Sequence, residues 1–340
     1  MLLKKYLLYI FVVIFLISGK NIFSQDIHFS QFYATPLNLN PSLTGHCKGD
    51  WRIMGIHRSQ WKSVNIPYLT QSVGFDHQLY LYSQNFSWGI NYVHDKSGNL
   101  NLEANKFYGS FAYHIKLPEF NVLHIGIQAG YVMKGFSLSG QTYPEQWDIL
   151  TGAFNTTLPS NEPGAFDEPS YVDLNAGASW SKKFKRFEPT VGAAVYHITQ
   201  PTESYLPGNN KLPSRIVFHA DIPIDITKQV YLDPKILWMT MKGANDFIGG
   251  ANLGYKLPAN LLKLNSFWFG GFLRNGFSNT DAVFFVAGVN YRDFDIGFSY
   301  DINLSGLKAA TRNKGAFEIS LIYTSPSTVT PNKAIPCDRY

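Results

Sequence analysis

The chain has 340 residues, a formal net charge of +5, 16% aromatic and only 16% charged residues, against roughly a quarter charged in typical soluble domains. Lys4, Lys5 and Lys20 lie in the first 24 residues, which hold no acid, so +5 less these 3 leaves +2 on the remainder. A nearly neutral chain offers no electrostatic case for binding nucleic acid, and this pairing of many aromatics with few charges is unusual for a soluble surface.

Residues 1–24 read as a secretory signal peptide, with Lys4 and Lys5 before the apolar run Tyr6–Ile17, then small and polar residues up to Ser24. The run is shorter than the ~20 apolar residues a membrane helix needs, which argues against an uncleaved anchor. Cleavage is expected near Ser24 or Gln25. Residues 25–50 follow, containing QDIHFSQFYATPLNLNPSLTG. His28, Phe29, Phe32, Tyr33, Leu37 and Leu39 carry more apolar surface than a solvated tail keeps in water. Pro36 and Pro41 cannot donate to a strand ladder, and Asn40-Pro41 is a turn signal. This stretch is therefore expected to be a plug or periplasmic-side lid, packed into the mouth of the fold that begins at Trp51.

From Trp51 onward nearly every segment alternates with period two, placing successive side chains on opposite faces of a strand. Phe86, Trp88, Ile90 and Tyr92 oppose Ser87, Gly89 and Asn91; Phe294, Ile296, Phe298 and Tyr300 oppose Asp295, Gly297, Ser299 and Asp301. Two architectures give this pattern: a soluble sandwich or barrel with its apolar face inside, and an outer-membrane barrel with that face turned to lipid. Aromatics near strand ends (Tyr92, Trp180, Tyr255, Tyr291, Tyr323), Gly-rich polar faces and the lack of a long amphipathic helix favour the membrane barrel. Fourteen strands are predicted, at 51–58, 70–80, 85–95, 101–117, 120–138, 170–182, 187–199, 213–224, 228–241, 245–256, 265–276, 281–291, 293–303 and 314–324. The first and the 187–199 strand alternate poorly. The fold class is thus an all-β transmembrane barrel over 51–324, with residues 325–340 a periplasmic tail.

With both termini in the periplasm, short turns are expected at Leu81–Gln84, Pro118, Lys183–Arg186, Thr227 and Arg292, and longer outer loops at 61–69, 139–169, 200–212, 274–280 and 305–313. The turn at 257–264 is long for its side. The longest outer loop carries Glu145, Asp148, Glu162, Asp167 and Glu168 without Lys or Arg. These are candidate contacts for a basic partner or a divalent cation, set against the plainer reading of a solvated loop beside anionic lipid.

No Gly-rich phosphate loop, His-Glu-x-x-His helix, Cys-x-x-Cys pair or nucleophile elbow occurs, so no catalytic residue, cofactor or metal ligand is assigned. Asp76, His114, His124, Asp173, His219, Asp221, Asp233, Lys235 and Glu318 are expected to face the lumen. Cys47 and Cys337 lie near the two ends of the mature chain; an exported compartment permits a bridge between them, and two unrelated thiols remain the alternative.

The order HFSQFYATPLNLNPSLTG then WRIMGIHRSQW resembles the start of the PorP/SprF family, outer-membrane barrels of the type IX secretion system. Asp26, His28, Phe29, Ser30, Gln31, Phe32, Tyr33, Pro36, Leu37, Asn40, Pro41, Gly45, Arg58, Gln60 and Trp61 match that pattern; Ile27, where Pro is usual, departs from it. At the far end, YDINLSGL and GAFEISLIY precede PCDRY, which looks like the family's Cys-Pro-Arg-Phe ending with Asp338 and Tyr340 substituted. The resemblance implies a non-enzymatic barrel that supports export or surface anchoring of cargo such as gliding adhesins. Its implied partners are type IX components, the cargo's C-terminal domain, periplasmic ring subunits or lipoproteins, and outer-membrane lipid. An outer-membrane solute channel resembling the fatty-acid transporters is the alternative.

Overall fold

The computed structural model describes residues 26–62, 66–81, 84–98, 102–136, 142–159, 168–205, 208, 210–258, 263–276, 280–306 and 311–328. Its strands are β1 (Trp51–Gln60), β2 (Tyr68–Leu81), β3 (Gln84–Ser97), β4 (Leu102–Leu117), β5 (Asn121–Gly135), β6 (Trp147–Asp148), β7 (Ala153–Phe154), β8 (Ser170–Lys182) and β9 (Thr190–Tyr196). They continue with β10 (Arg215–Asp221), β11 (Ile224–Asp225), β12 (Val230–Met241), β13 (Ala244–Lys256), β14 (Leu264–Asn275), β15 (Thr280–Tyr291), β16 (Phe294–Asn303) and β17 (Lys314–Thr324).

Fourteen strands form one antiparallel wall, with the two-residue β11 paired onto β12 in the same sheet and β6 and β7 apart from it, and the pairings β1–β17 and β10–β12 close the wall into a barrel. Closure matters because hydrocarbon offers no hydrogen bonds, so the backbone groups of a spanning sheet must all be met between strands. Burial is inverted relative to a soluble protein. Side chains facing outward are apolar and open, as at Val73 (57%), Ile127 (61%), Val172 (58%) and Phe269 (59%), while Arg58, Asp76, Asn91, His124, Asp173, Ser299 and Glu318 are buried inside. One set of alternating positions meets lipid and the other meets a filled lumen.

The wall follows the predicted strands closely, with local differences that have physical causes. The 187–199 strand contracts to β9 because Pro189 has no amide to donate and His197 turns the chain with φ +56°. The first strand instead extends to Gln60, which pairs with Tyr68 on one side and Ala316 on the other. Within the long acidic loop, β6 and β7 form a small hairpin that the sequence did not suggest. The tight connections at Glu119–Phe120 and Arg292 use left-handed residues, φ +58°, +60° and +53°, as short hairpin turns require. They share one mouth with the start of β1 and the end of β17; the longer loops share the other.

Residues 26–50 run inside the wall. They form a 3-10 turn (Phe32–Ala34), a short helix α1 (Pro36–Leu39) and a second 3-10 turn (Pro41–Leu43). Asp26 meets Lys106, His197 and Arg215, all near the loop-side mouth, and Asp50 meets Thr328 at the turn-side mouth. The segment traverses the lumen: its first described residue, Asp26, lies at the mouth opposite Thr328. The leader at 1–24 and the tail beyond Thr328 fall outside the described residues.

The outward face should not accept charge. Ile127→Lys, halfway along β5 on that face, is expected to lower unfolding free energy by about 2–4 kcal/mol in bilayers. Denaturant titration of protein folded into vesicles measures it, and an unchanged midpoint would mean that this face does not meet lipid.

Candidate functional site

The lumen and the segment that fills it bring together the N-terminal motif residues and most of the polar wall residues expected to face inward. A chain segment without a ladder of its own must still find partners for its amides when water is displaced. Glu318 of β17 provides them at the top: Oε1 accepts the Ser30 amide at 2.7 Å and Oε2 the Gln31 amide at 2.8 Å. The Ser30 hydroxyl donates to Asp301 at 2.8 Å and accepts from the guanidinium groups of Arg58 and Arg274. Arg58 also pairs with Glu318 and Arg274 with Asp301, so two cations and two anions balance around one serine, all buried. Gln31 is held through its side-chain amide, donating to Ser299 at 3.3 Å and accepting from Ser320 at 2.9 Å.

Phe32 and Tyr33 occupy an aromatic corner against β14, the strand that also carries Arg274. The Tyr33 ring stacks on Phe272 and meets Trp268 edge-on, both at 6.3 Å between centroids, with the Lys235 ammonium 4.8 Å from its centre. Phe29 is buried with Ala34 and Ile56, and His28 Nε2 lies 3.3 Å from the Asp246 carboxylate.

Lower in the lumen the two prolines start helical turns rather than ending a strand. Pro36 and Pro41 each occupy the first turn of their element, where the missing amide costs nothing. Between them Asn40 is fully buried and uses both ends of its amide. Its Oδ1 accepts from the Ser42 amide at 2.9 Å, while Nδ2 reaches the carbonyls of Ala178 and Ala193 at 3.2 Å and the His219 ring at 3.0 Å. Wall and segment approach so closely here that a Cβ at Gly126 would sit 2.3 Å from the Pro41 carbonyl carbon. Gly45 closes the segment with φ +69°; its amide donates to Asp76 at 2.8 Å, and Arg52 pairs with that same carboxylate.

Asp26, at the opposite end, is held by Lys106 Nζ at 2.7 Å, Arg215 Nη1 at 3.1 Å and His197 Nε2 at 3.3 Å. His197 Nδ1 is in turn 2.9 Å from Asp173. Above Asp26 a vestibule of ≈ 420 Å³ opens, lined in part by Ile27, Arg58, Trp61, Tyr68, Asp95 and Lys106. Beside Asp26 a cavity of ≈ 30 Å³ reaches down to Asn38 and Gln128, and one of ≈ 10 Å³ lies against Met241, Ala244 and Asp246.

Of the residues expected to face the lumen, Asp76, His114, His124, Asp173, His219, Lys235 and Glu318 are buried inside it. His46 joins them, its ring 4.5 Å from that of His124. Among the described residues no group of three or more His, Cys, Asp or Glu is arranged to hold a metal ion. Glu145 and Asp148 stand on the small loop hairpin, where Asp148 accepts from the Leu150 amide and the Thr151 hydroxyl at 2.9 Å. Those hydrogen bonds hold its carboxyl below the usual range. Glu168 flanks β8, apart from the hairpin, and Glu162 and Asp167 lie outside the described residues. Cys47 is half-buried at the turn-side mouth, and Cys337 also lies outside the described residues. Sequence reasoning missed Arg52, Lys106, Arg215, Arg274 and Asp301 as holders of the segment. Their lumen-side register was the available signal.

Breaking the upper network by one charge should be costly. Glu318→Gln leaves two guanidinium groups facing one carboxylate and is expected to destabilise the folded barrel by about 3–5 kcal/mol. Arg58→Met combined with Glu318→Gln removes a matched pair and should recover part of that loss. Urea unfolding in micelles, as a double-mutant cycle, measures both.

The chain matches the family model described as type IX secretion system membrane protein PorP/SprF over residues 21–323. No curated protein matches it significantly. Similar solved structures include the CymD monoaromatic hydrocarbon channel (11% identity, 86% of this chain and 93% of that one, TM-score 0.49). Two others are the Ralstonia pickettii toluene transporter TbuX (10%, 85% and 92%, 0.45) and BamA from Haemophilus ducreyi lacking POTRA domains 1–3 (8%, 81% and 70%, 0.41). A family match over most of its length, on a closed barrel whose lumen is filled by the matching N-terminal motif, means that this chain belongs to the PorP/SprF family of type IX secretion system membrane proteins.

Proposed function

We propose that this outer-membrane barrel serves type IX secretion as an anchoring and coupling element, with residues 25–50 acting as a plug, and not as the conduit for cargo. The supporting observation is the packing of the lumen, where the cavities beside Asp26 shrink to ≈ 30 and ≈ 10 Å³. A folded cargo domain needs a wide passage, whereas a rigid filled barrel offers fixed surfaces at both mouths. The partners are a cargo or adhesin C-terminal domain, other type IX components, and periplasmic ring subunits or lipoproteins. Glu145, Asp148, Glu162, Asp167 and Glu168 are the outer-loop contacts assigned to a basic partner surface. Affinity capture of tagged protein should recover a type IX component or a cargo protein, and a deletion strain should lose surface display of that cargo. Capture of neither, with normal display, would sink the reading.

The second reading, a solute channel, draws on the ≈ 420 Å³ vestibule at the loop-side mouth. In planar bilayers the intact protein is expected to be closed, and a variant lacking residues 27–44 to conduct steadily. Solute uptake by the intact protein that survives loss of the secretion system would favour the channel instead.

We also propose a Cys47–Cys337 bridge at the turn-side mouth. It is supported by the start of the tail, which is fastened beside Cys47: Ser325 N donates to Trp51 O at 2.9 Å, and Thr328 N to Asp50 Oδ2 at 2.9 Å. The Thr328 hydroxyl and amide together hold the Asp50 carboxyl below its ordinary range. The nine residues from Thr328 to Cys337 reach up to roughly 30 Å, enough to return to Cys47. Purified protein should change mobility on reduction, and Cys47→Ala should abolish the change; identical mobility with and without reductant in the parent protein would refute the bridge.

A further inference from the structure

We infer that the mature amino terminus is presented at the outer mouth of the barrel, to the cell surface, so that this exported chain places its two ends on opposite sides of the membrane. The inference rests on the plug reading above and adds to it a direction of threading. The contacts of the segment descend overall. Asp26 lies among Lys106, His197 and Arg215 by the long loops, and Ser30 sits between Arg58 and Arg274 near the outer ends of β1 and β14. Asn38 meets Ser72 and Asn91 at mid-barrel, Ser42 meets Ser179, and Gly45 meets Asp76. Asp50 reaches Thr328 at the opposite mouth. The chain doubles back locally, the Asn38 carbonyl accepting from Tyr196 at 2.9 Å after Tyr33 has reached Trp268, and the net path from Asp26 to Asp50 is downward.

Covalent connection fixes what precedes Asp26. The preceding Cα lies 3.8 Å from that of Asp26, which keeps it by the same mouth, and toward the lumen Asp26 is walled in by Lys106, His197 and Arg215. The vestibule above has room. It also offers a counter-charge: the Asp95 carboxylate, lining the vestibule, accepts the Thr70 hydroxyl at 2.6 Å and enters no ion pair among the described residues. An α-ammonium released by leader cleavage at Ser24 or Gln25 is a cation of the right kind to meet it. A leader still held in the inner membrane lies on the other side of the outer membrane, so the peptide bond must be hydrolysed, one water adding across it, before the segment threads. Leader removal therefore precedes plugging.

Accessibility labelling in intact cells tests this on the full-length protein. In a background of Cys47→Ser and Cys337→Ser, single cysteines are placed by Ile27→Cys, by Thr156→Cys in the long loop and by Pro326→Cys in the tail. A membrane-impermeant maleimide is applied before and after the outer membrane is permeabilised. The expected result is that the Ile27→Cys and Thr156→Cys variants label in intact cells while the Pro326→Cys variant labels only after permeabilisation. Labelling of the Ile27→Cys variant only after permeabilisation, together with the tail, overturns the inference. Thr156→Cys reports separately which mouth faces out, and the conductance of the variant lacking residues 27–44 reports separately on plugging. A short epitope inserted between Gln25 and Asp26, read by antibody on intact cells, repeats the test without altering any residue that touches the wall; its silence alongside a reactive loop cysteine also overturns it.

Discussion

Two backbone amides and one carboxylate hold the upper part of this molecule together. Ser30 and Gln31 have no strand partner for their N–H groups, and Glu318 of the last strand accepts both. A carboxylate buried in this way carries its charge away from water, which is costly unless cations and further donors surround it. Arg58 and Arg274 provide the compensating charge, and Asp301 balances the second of them. The first strand thus meets β14, β16 and β17 around one turn of the N-terminal segment, at the seam where β1 and β17 close the barrel. The segment is a filling, and it also cross-links the closure.

The same constraint explains why the lumen is polar. A soluble barrel fills its interior with aliphatic side chains and wets its outside. Here lipid takes the apolar face, so the inside must be satisfied by hydrogen bonds and ion pairs, and any chain that enters must be able to join them. The segment does so by folding into helical turns that supply part of its own bonding, with Asn40 serving both the turn and the wall. Among the described residues, the Phe32–Tyr33 corner against Trp268 and Phe272, and Phe29 with Ala34 and Ile56, pack in the manner of an ordinary core.

The wall was legible in the sequence because one face of each strand must be apolar over its length and the other need not be. Where that requirement weakens, reading became harder. Between Pro189 and His197 the alternation is short because the proline and a left-handed residue bound it. The path of the segment was less legible. His28, Phe29, Phe32 and Tyr33 announced burial, and Pro36 and Pro41 excluded a strand, but nothing local says which mouth Asp26 occupies. That depends on Lys106, His197 and Arg215, which are 80 to 189 residues away in the chain and meet it only once the barrel closes. Periodicity describes faces; it does not pair charges across a lumen.

The way those charges are paired bears on how firmly the segment is seated. Arg58 with Glu318, Arg274 with Asp301 and Arg52 with Asp76 are matched within the wall itself, so withdrawal of the segment would leave these three pairs intact and able to hydrate. The outer end differs. There the wall presents Lys106 and Arg215 toward a carboxylate that belongs to the segment, and without Asp26 two cations lose their partner while His197 keeps only Asp173. Charge balance is therefore self-contained along the seam and along the lower lumen, and depends on the segment at the loop-side mouth. An anionic group arriving in the vestibule competes with Asp26 for the same two cations, which makes that mouth the place where an outside partner has electrostatic leverage on the plug.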